Sequence, residues 1–260
     1  RQIQSLTTAQ AASLTTAQAS TLLVAQVAAF ETADLAAMST SAVAALTTAQ
    51  MQSLNTAHIA SLTSTQVKNL TTAQVAALGS DQVASLTSDQ VQAFNNTQLA
   101  AIETADLVAL TTENMVALQT SQMAAFSNAQ INSLTTDQIL ALETEDLVVL
   151  KGQQIVALSS DQFAAMSTDQ IQNLTASQIA SIETQDLAAL SSDQVQALSS
   201  TQLPALTTYQ FKNLTTDMLV AFTTDQIQAL NTSAVSGLTT SQFTQLSTAQ
   251  IKAVSTEQMH

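Results

Sequence analysis

The chain has 260 residues, with 19 acidic against 5 basic side chains for a formal charge of −14, 9% charged and 3% aromatic residues, 3 Gly, 1 Pro and no Cys. The charge excludes nucleic acid as a partner, because phosphate contacts need clustered Lys and Arg, and the lack of Cys excludes a disulfide framework and thiolate metal sites. No apolar run approaches the ~18 residues that span a bilayer, so no membrane insertion is expected, while 46% apolar residues are too many for disorder by composition.

From Leu6 to Val254 every eighth residue is apolar, 32 positions of which 23 are Leu. Numbering each unit from that residue, slot 6 is also apolar throughout, slot 5 is Gln in 23 units, slot 3 is Ser or Thr in 27 and slot 2 is Ser, Thr or Asn in 24. The unit is L-[ST]-[ST]-x-Q-[IVL]-x-x, with no insertion or deletion. A continuous helix cannot carry it, because an eight-residue period turns the apolar stripe by about 80° per unit. A strand would send slots 1 and 6 to opposite faces. The remaining solution is one short helix per unit, running through Q-[IVL]-x-x-L and broken by a polar turn at slots 2 and 3. Helices of about six residues do not persist alone and must stack. The expected fold is therefore all-α, a single continuous octapeptide-repeat solenoid over residues 1–260. Gln2 and Ile3 already occupy repeat positions, so a segment of a longer chain is expected.

Within the unit, a hydroxyl in slot 2 and Gln in slot 5 have the spacing of a capping box, which satisfies orphan N–H groups at a helix start. Slot 3, with the stricter hydroxyl character, is the alternative cap. All 19 acids occupy slots 2, 4 or 5, and Lys68, Lys212 and Lys252 occupy slot 7, as the helix dipole favours.

Deviations along the chain carry the remaining candidates. Wherever slot 5 becomes Asp, slot 2 becomes Glu, at Glu31/Asp34, Glu103/Asp106, Glu143/Asp146 and Glu183/Asp186. The two slots change together, so they touch or share a partner. The last three pairs recur every 40 residues, and five units per superhelical turn would set Glu103, Asp106, Glu143, Asp146, Glu183 and Asp186 in one column. Pooled carboxylates are hard oxygen ligands suited to calcium, although no Ca²⁺ loop is present; caps on a solvated face explain the same residues. A stack of antiparallel helix pairs is a second architecture, but its 16-residue period does not divide 40. His58 replaces Gln in slot 5, and with His260 it forms no metal pair. Pro204 in slot 7 fits badly inside a helix and predicts a local distortion. Tyr209 stands in a variable slot as a surface residue, and all seven Phe fall in slots 1 or 6, which marks them as core. No base, nucleophile or oxyanion donors converge, so no enzyme and no cofactor are expected.

Units such as "LTTAQVAA" from Leu70 and "LTTDQILA" from Leu134 resemble, over the whole chain, the LTTxQ octapeptide arrays of large secreted or surface adhesin-like proteins of bacteria. The resemblance implies an extracellular or cell-surface, non-enzymatic, length-giving role and assigns no functional residue. The expected function is a stalk, filament or surface-layer element that self-associates end to end. The alternative is a binding module whose outer Thr/Gln face takes ice, glycan or a protein partner, though cap and turn chemistry alone accounts for the Thr.

Overall fold

The computed structural model describes residues 6–258, and among them there are no strands. The unit from Leu70 shows how eight residues make one step. Thr71 is extended (φ −73°, ψ 155°) and caps the helix Thr72–Ala76. Its hydroxyl accepts the Gln74 N–H at 3.2 Å, while Gln74 Oε1 accepts the Thr71 N–H at 2.9 Å. Slot 2, not slot 3, is thus the cap. The helix opens at slot 3, earlier than the sequence pattern suggests, because an extended cap in slot 2 lets helical geometry begin at the next residue. It closes by slot 7 or 8 and leaves the slot-1 residue outside, extended, as at Leu62 (φ −58°, ψ 133°). Pro204 replaces this pattern with a 3₁₀ turn, Leu203–Ala205.

The chain gathers into two compact units, Arg1–Leu134 and Thr135–His260, and the same packing rule operates inside each. In the first, the helix Thr72–Ala76 packs against Thr48–Gln52 and Asn96–Ala100. In the second, Thr168–Asn173 packs against Thr144–Val148 and Ser192–Ala197. Helix starts in contact therefore lie 24 residues apart, which is three octapeptides. The helices bury slots 1 and 6 between them. From Leu99 to Phe211 the slot-6 side chains are 0–1% exposed, and slot 1 from Ile102 to Leu206 is 2–6% exposed. Burial of each such side chain contributes about 1.5–3 kcal/mol.

Hydrogen bonds fix the turn more sharply than packing does. Gln74 Nε2 donates to the Val43 carbonyl at 2.9 Å and the Leu46 carbonyl at 2.8 Å, 31 and 28 residues earlier. Gln194 in the second unit does the same to Phe163 and Met166, at 2.9 and 2.7 Å. One superhelical turn thus takes between three and four octapeptides, about 28 residues. This corrects the five units per turn inferred from the 40-residue acidic spacing. The distance that sets the turn is the one from a slot-5 amide to the backbone below it, and acidic side chains take no part in that link. Packing at three units also excludes a stack of antiparallel pairs, which would need contacts at two.

Two mutational outcomes follow. Gln74→Leu leaves the Thr71 N–H and the buried Leu46 carbonyl without partners and removes one of two donors from the Val43 carbonyl, and is expected to lower stability by about 2–4 kcal/mol, whereas Thr71→Ala, which removes one cap, costs about 1 kcal/mol; denaturant titration of both variants orders them. Gly79 caps the helix Ser80–Ala84 without a side chain, at φ −88° and ψ 171°, and a Cβ there meets nothing within 4 Å. Gly79→Thr is accordingly expected to raise stability by a few tenths to about 1 kcal/mol, through a restored cap and a stiffer unfolded chain, visible as a higher denaturation midpoint.

Candidate functional site

The outward surface is made by slots 3 and 4 with the rims of slots 2 and 7, mostly Thr, Ser, Ala and Asp. Slot-5 Gln does not belong to it: from Gln50 onward these side chains are 1–7% exposed. The outer Thr/Gln face expected from sequence is therefore a hydroxyl face, its regular glutamines drawn into the turn contacts. Shallow grooves run between successive turns. One of about 670 Å³ lies beside Asn55 and Gly79, where the missing cap side chain opens it, and one of about 460 Å³ beside Glu183 and Tyr209. Tyr209 is 70% exposed, as its variable slot suggested.

The distinctive chemistry lies where slot 5 is not Gln. At this position the fold asks one side chain to accept a hydrogen bond from the slot-2 N–H and to donate to two carbonyls below. Asn114 is shorter; its Oδ1 accepts the Thr111 N–H at 3.1 Å and its Nδ2 reaches the Leu86 carbonyl, also at 3.1 Å. His58, 4% exposed, satisfies both demands with a ring. Its Nδ1 accepts the Asn55 N–H at 3.3 Å and its Nε2 faces the Phe30 carbonyl at 2.8 Å. Those partners assign the proton to Nε2. Two nitrogens used in this way leave His58 a structural residue. His260 lies outside the described residues.

Aspartate cannot meet the same demand, because an ionised carboxylate has no proton to donate. Asp106 and Asp186 turn to a different partner. Asp106 Oδ1 accepts from Ser80 Oγ and Asp186 Oδ1 from Ser160 Oγ, both at 2.6 Å and both 26 residues earlier in the chain. The accompanying Glu31, Glu103, Glu143 and Glu183 sit at the caps of their helices, exposed and with no side-chain capping bond. Asp34, Asp146 and Asp186 are 1–3% exposed. Burial pushes the Asp186 carboxyl above its ordinary range; the Ser160 hydrogen bond opposes that rise, and repulsion from the Glu183 charge adds to it.

The acidic pairs do not pool into one site. Within the second unit, Glu143/Asp146 and Glu183/Asp186 are 40 residues apart, about 1.4 turns of 28, so they are not stacked. Among the described residues no three Asp, Glu, His or Cys side chains come together at metal-binding distance. What sequence could not disclose is the Ser in slot 3 three units earlier, Ser80 or Ser160, that anchors the Asp106 and Asp186 carboxylates. The hydroxyl abundance of that slot hides it.

A family model described as the ALTTAQ repeat matches residues 27–64, 59–96, 99–136, 139–176 and 179–216, well over half of the chain. No curated protein matches it. No helix among the described residues is long and apolar enough to cross a membrane.

The raised Asp186 carboxyl gives a pH signature. Because the folded state holds this proton more tightly than the unfolded chain, its stabilising contribution is full below the unfolded carboxyl range and is lost as pH rises through the folded value. Glu183 is the acid whose charge raises it further. In buffer free of divalent cations, Asp186→Asn is expected to flatten that decline, as read from denaturation midpoints on raising the pH from the ordinary carboxyl range upward.

Proposed function

Since the chain belongs to the ALTTAQ repeat family and is in consequence a non-enzymatic repeat segment, we propose that it is a length-giving structural element of an extracellular or bacterial-surface protein, a stalk or filament segment. The observation that carries this proposal is the link between turns. Within each compact unit, successive turns are joined by glutamine amides on backbone carbonyls 28 and 31 residues earlier. Backbone acceptors exist in every unit whatever its side chains, so turns can be added without new recognition, and stability accumulates from nearest-neighbour contacts. The outer slots are then free to stay small and polar. The formal charge of −14 keeps such a surface soluble and its copies apart laterally. The same carbonyls do not distinguish a following turn of this chain from a turn of a second copy, which supports end-to-end self-association.

A binding role for the outer face has one specific support, the groove of about 460 Å³ under exposed Tyr209 with Glu183 and Gln185 on its rim. Glycan or ice would meet hydroxyls and a single aromatic there, with no recurring array of rings. The length-giving role uses features of every unit, and it is preferred on that ground.

The test is to vary the number of units. Insertion or deletion of 56 residues, seven octapeptides and two turns, is expected to change the maximum dimension measured by small-angle scattering by about 16–20 Å at ordinary helix spacing, with the cross-section constant. A change in cross-section at fixed length would refute it.

A further inference from the structure

We propose that the paired unit Glu183/Asp186 is a site for a divalent cation of the calcium class, built within the second compact unit from these two carboxylates and the backbone carbonyls of Ile155 and Leu158. The starting point is an oxygen without a partner. Asp186 is 1% exposed, its Oδ1 is held by Ser160 at 2.6 Å, and its Oδ2 is buried with no hydrogen bond. Ser160 fixes Oδ1 as an acceptor, and in its ionised form the carboxylate brings a full negative charge to this place. A buried charge of this kind needs a counter-charge.

The surroundings supply further oxygens. Register places Ile155 and Leu158, 31 and 28 residues before Asp186, as the carbonyls that a slot-5 Gln would take. Neighbouring units show the pattern filled: Gln178 takes Leu147 and Leu150, and Gln194 takes Phe163 and Met166. With Asp in the slot, no amide arrives, and the Leu158 carbonyl has no donor among the described residues. Ser160 follows Leu158 by two residues, so the bond to Oδ1 anchors the carboxylate at that corner. Glu183 stands close enough for its charge to oppose that of Asp186 and is itself exposed at the start of the helix, where an ion arriving from solvent meets it first. Two carboxylates and backbone carbonyls are hard oxygen donors that balance a 2+ charge, with water completing the six to eight ligands calcium takes.

The paired substitution gains a reason from this arrangement. A lone Asp in slot 5 would bury one negative charge among carbonyl oxygens; a second carboxylate worsens that unless a cation is bound. Yet all four Asp units carry the Glu. Ser80 bonded to Asp106 repeats the anchor in the first compact unit. The calcium site is thus proposed in altered form, on the Glu183/Asp186 pair alone and not on a shared column, and it is independent of the length-giving role.

Gln is the native residue of slot 5 in 23 units, so substitution to Gln tests the site without threatening the fold. A chain carrying Asp34→Gln, Asp106→Gln and Asp146→Gln is compared with one that also carries Asp186→Gln, using Tb³⁺ luminescence, Ca²⁺ displacement of Tb³⁺ and thermal denaturation. The triple variant is expected to bind one Tb³⁺, displaced by Ca²⁺ with a Kd on the order of 0.1–1 mM as for extracellular sites, and to melt higher with Ca²⁺ present. The quadruple variant is expected to bind none and to melt at a temperature independent of Ca²⁺. Glu183→Gln in the triple background is expected to weaken binding about tenfold or more. Equal Tb³⁺ binding by the triple and quadruple variants would overturn the site. So would a triple variant stabilised by acid and indifferent to millimolar Ca²⁺, which assigns the orphaned oxygen to a proton or a bridging water.

Discussion

One carboxamide holds two scales of the structure together. The slot-5 Gln accepts the slot-2 N–H of its own unit through Oε1, closing a capping box, and donates through Nε2 to two carbonyls of the turn below. Only a side chain that is both donor and acceptor, with the length of Gln, does this completely. Each α-helix among the described residues has four to six residues and so leaves most of its backbone groups without an intrahelical partner. In a fold that buries only two large apolar side chains per eight residues, those groups must be satisfied systematically or the turns separate. The amide performs that task at the place where cap, helix end and next turn meet.

The same constraint explains the strictness of the octapeptide. An insertion of one residue would move every later amide off its carbonyls and rotate slots 1 and 6 out of the core together. Substitution is tolerated much more readily than insertion, since the acceptors are backbone atoms. Pro204 illustrates this: its unit abandons the α-turn for a 3₁₀ turn, yet Gln202 still donates to Ile171 and Leu174 at 2.8 and 2.6 Å. The length of the unit is kept where its helix is lost.

The core positions and the caps were legible in the sequence because both depend on spacings within eight residues. Slots 1 and 6 turn inward, as the pattern from Leu6 onward requires, and the Thr71–Gln74 box is visible as three-residue spacing. The number of units per turn was not legible, because the partner of Gln74 is a carbonyl, which any residue supplies, so no side-chain pattern marks positions 43 and 46. The 40-residue acidic spacing was the one long period on display, and it does not measure the turn. A usable signal was nonetheless present. Capping boxes accept Glu as readily as Gln, but no slot 5 holds Glu in any of the 32 units. A cap needs only an acceptor; exclusion of Glu says that the side chain must also donate, and hence that it has a second, distant partner.

That exclusion also sharpens what the four Asp units mean. Asp is the acid that slot 5 admits, and it is shorter than Glu by one methylene. Ser160, 26 residues before Asp186, lies within reach of the shorter carboxylate, which abandons the two carbonyls that the amide would have joined. The local loss is compounded at the cap, where the Glu183 side chain takes none of the free N–H groups of its helix and accepts only from the Gln185 side chain. Such a unit surrenders the inter-turn amide link and the hydroxyl cap and gathers negative charge around buried carbonyl oxygens. Ala42 and Ala234 show that the array can omit the amide without introducing charge. Loss of the link alone therefore does not call for Asp, nor for the Glu that accompanies it. The acidic units are substitutions toward something that amide and alanine do not provide, namely two negative charges placed at a gap in the hydrogen bonding between turns.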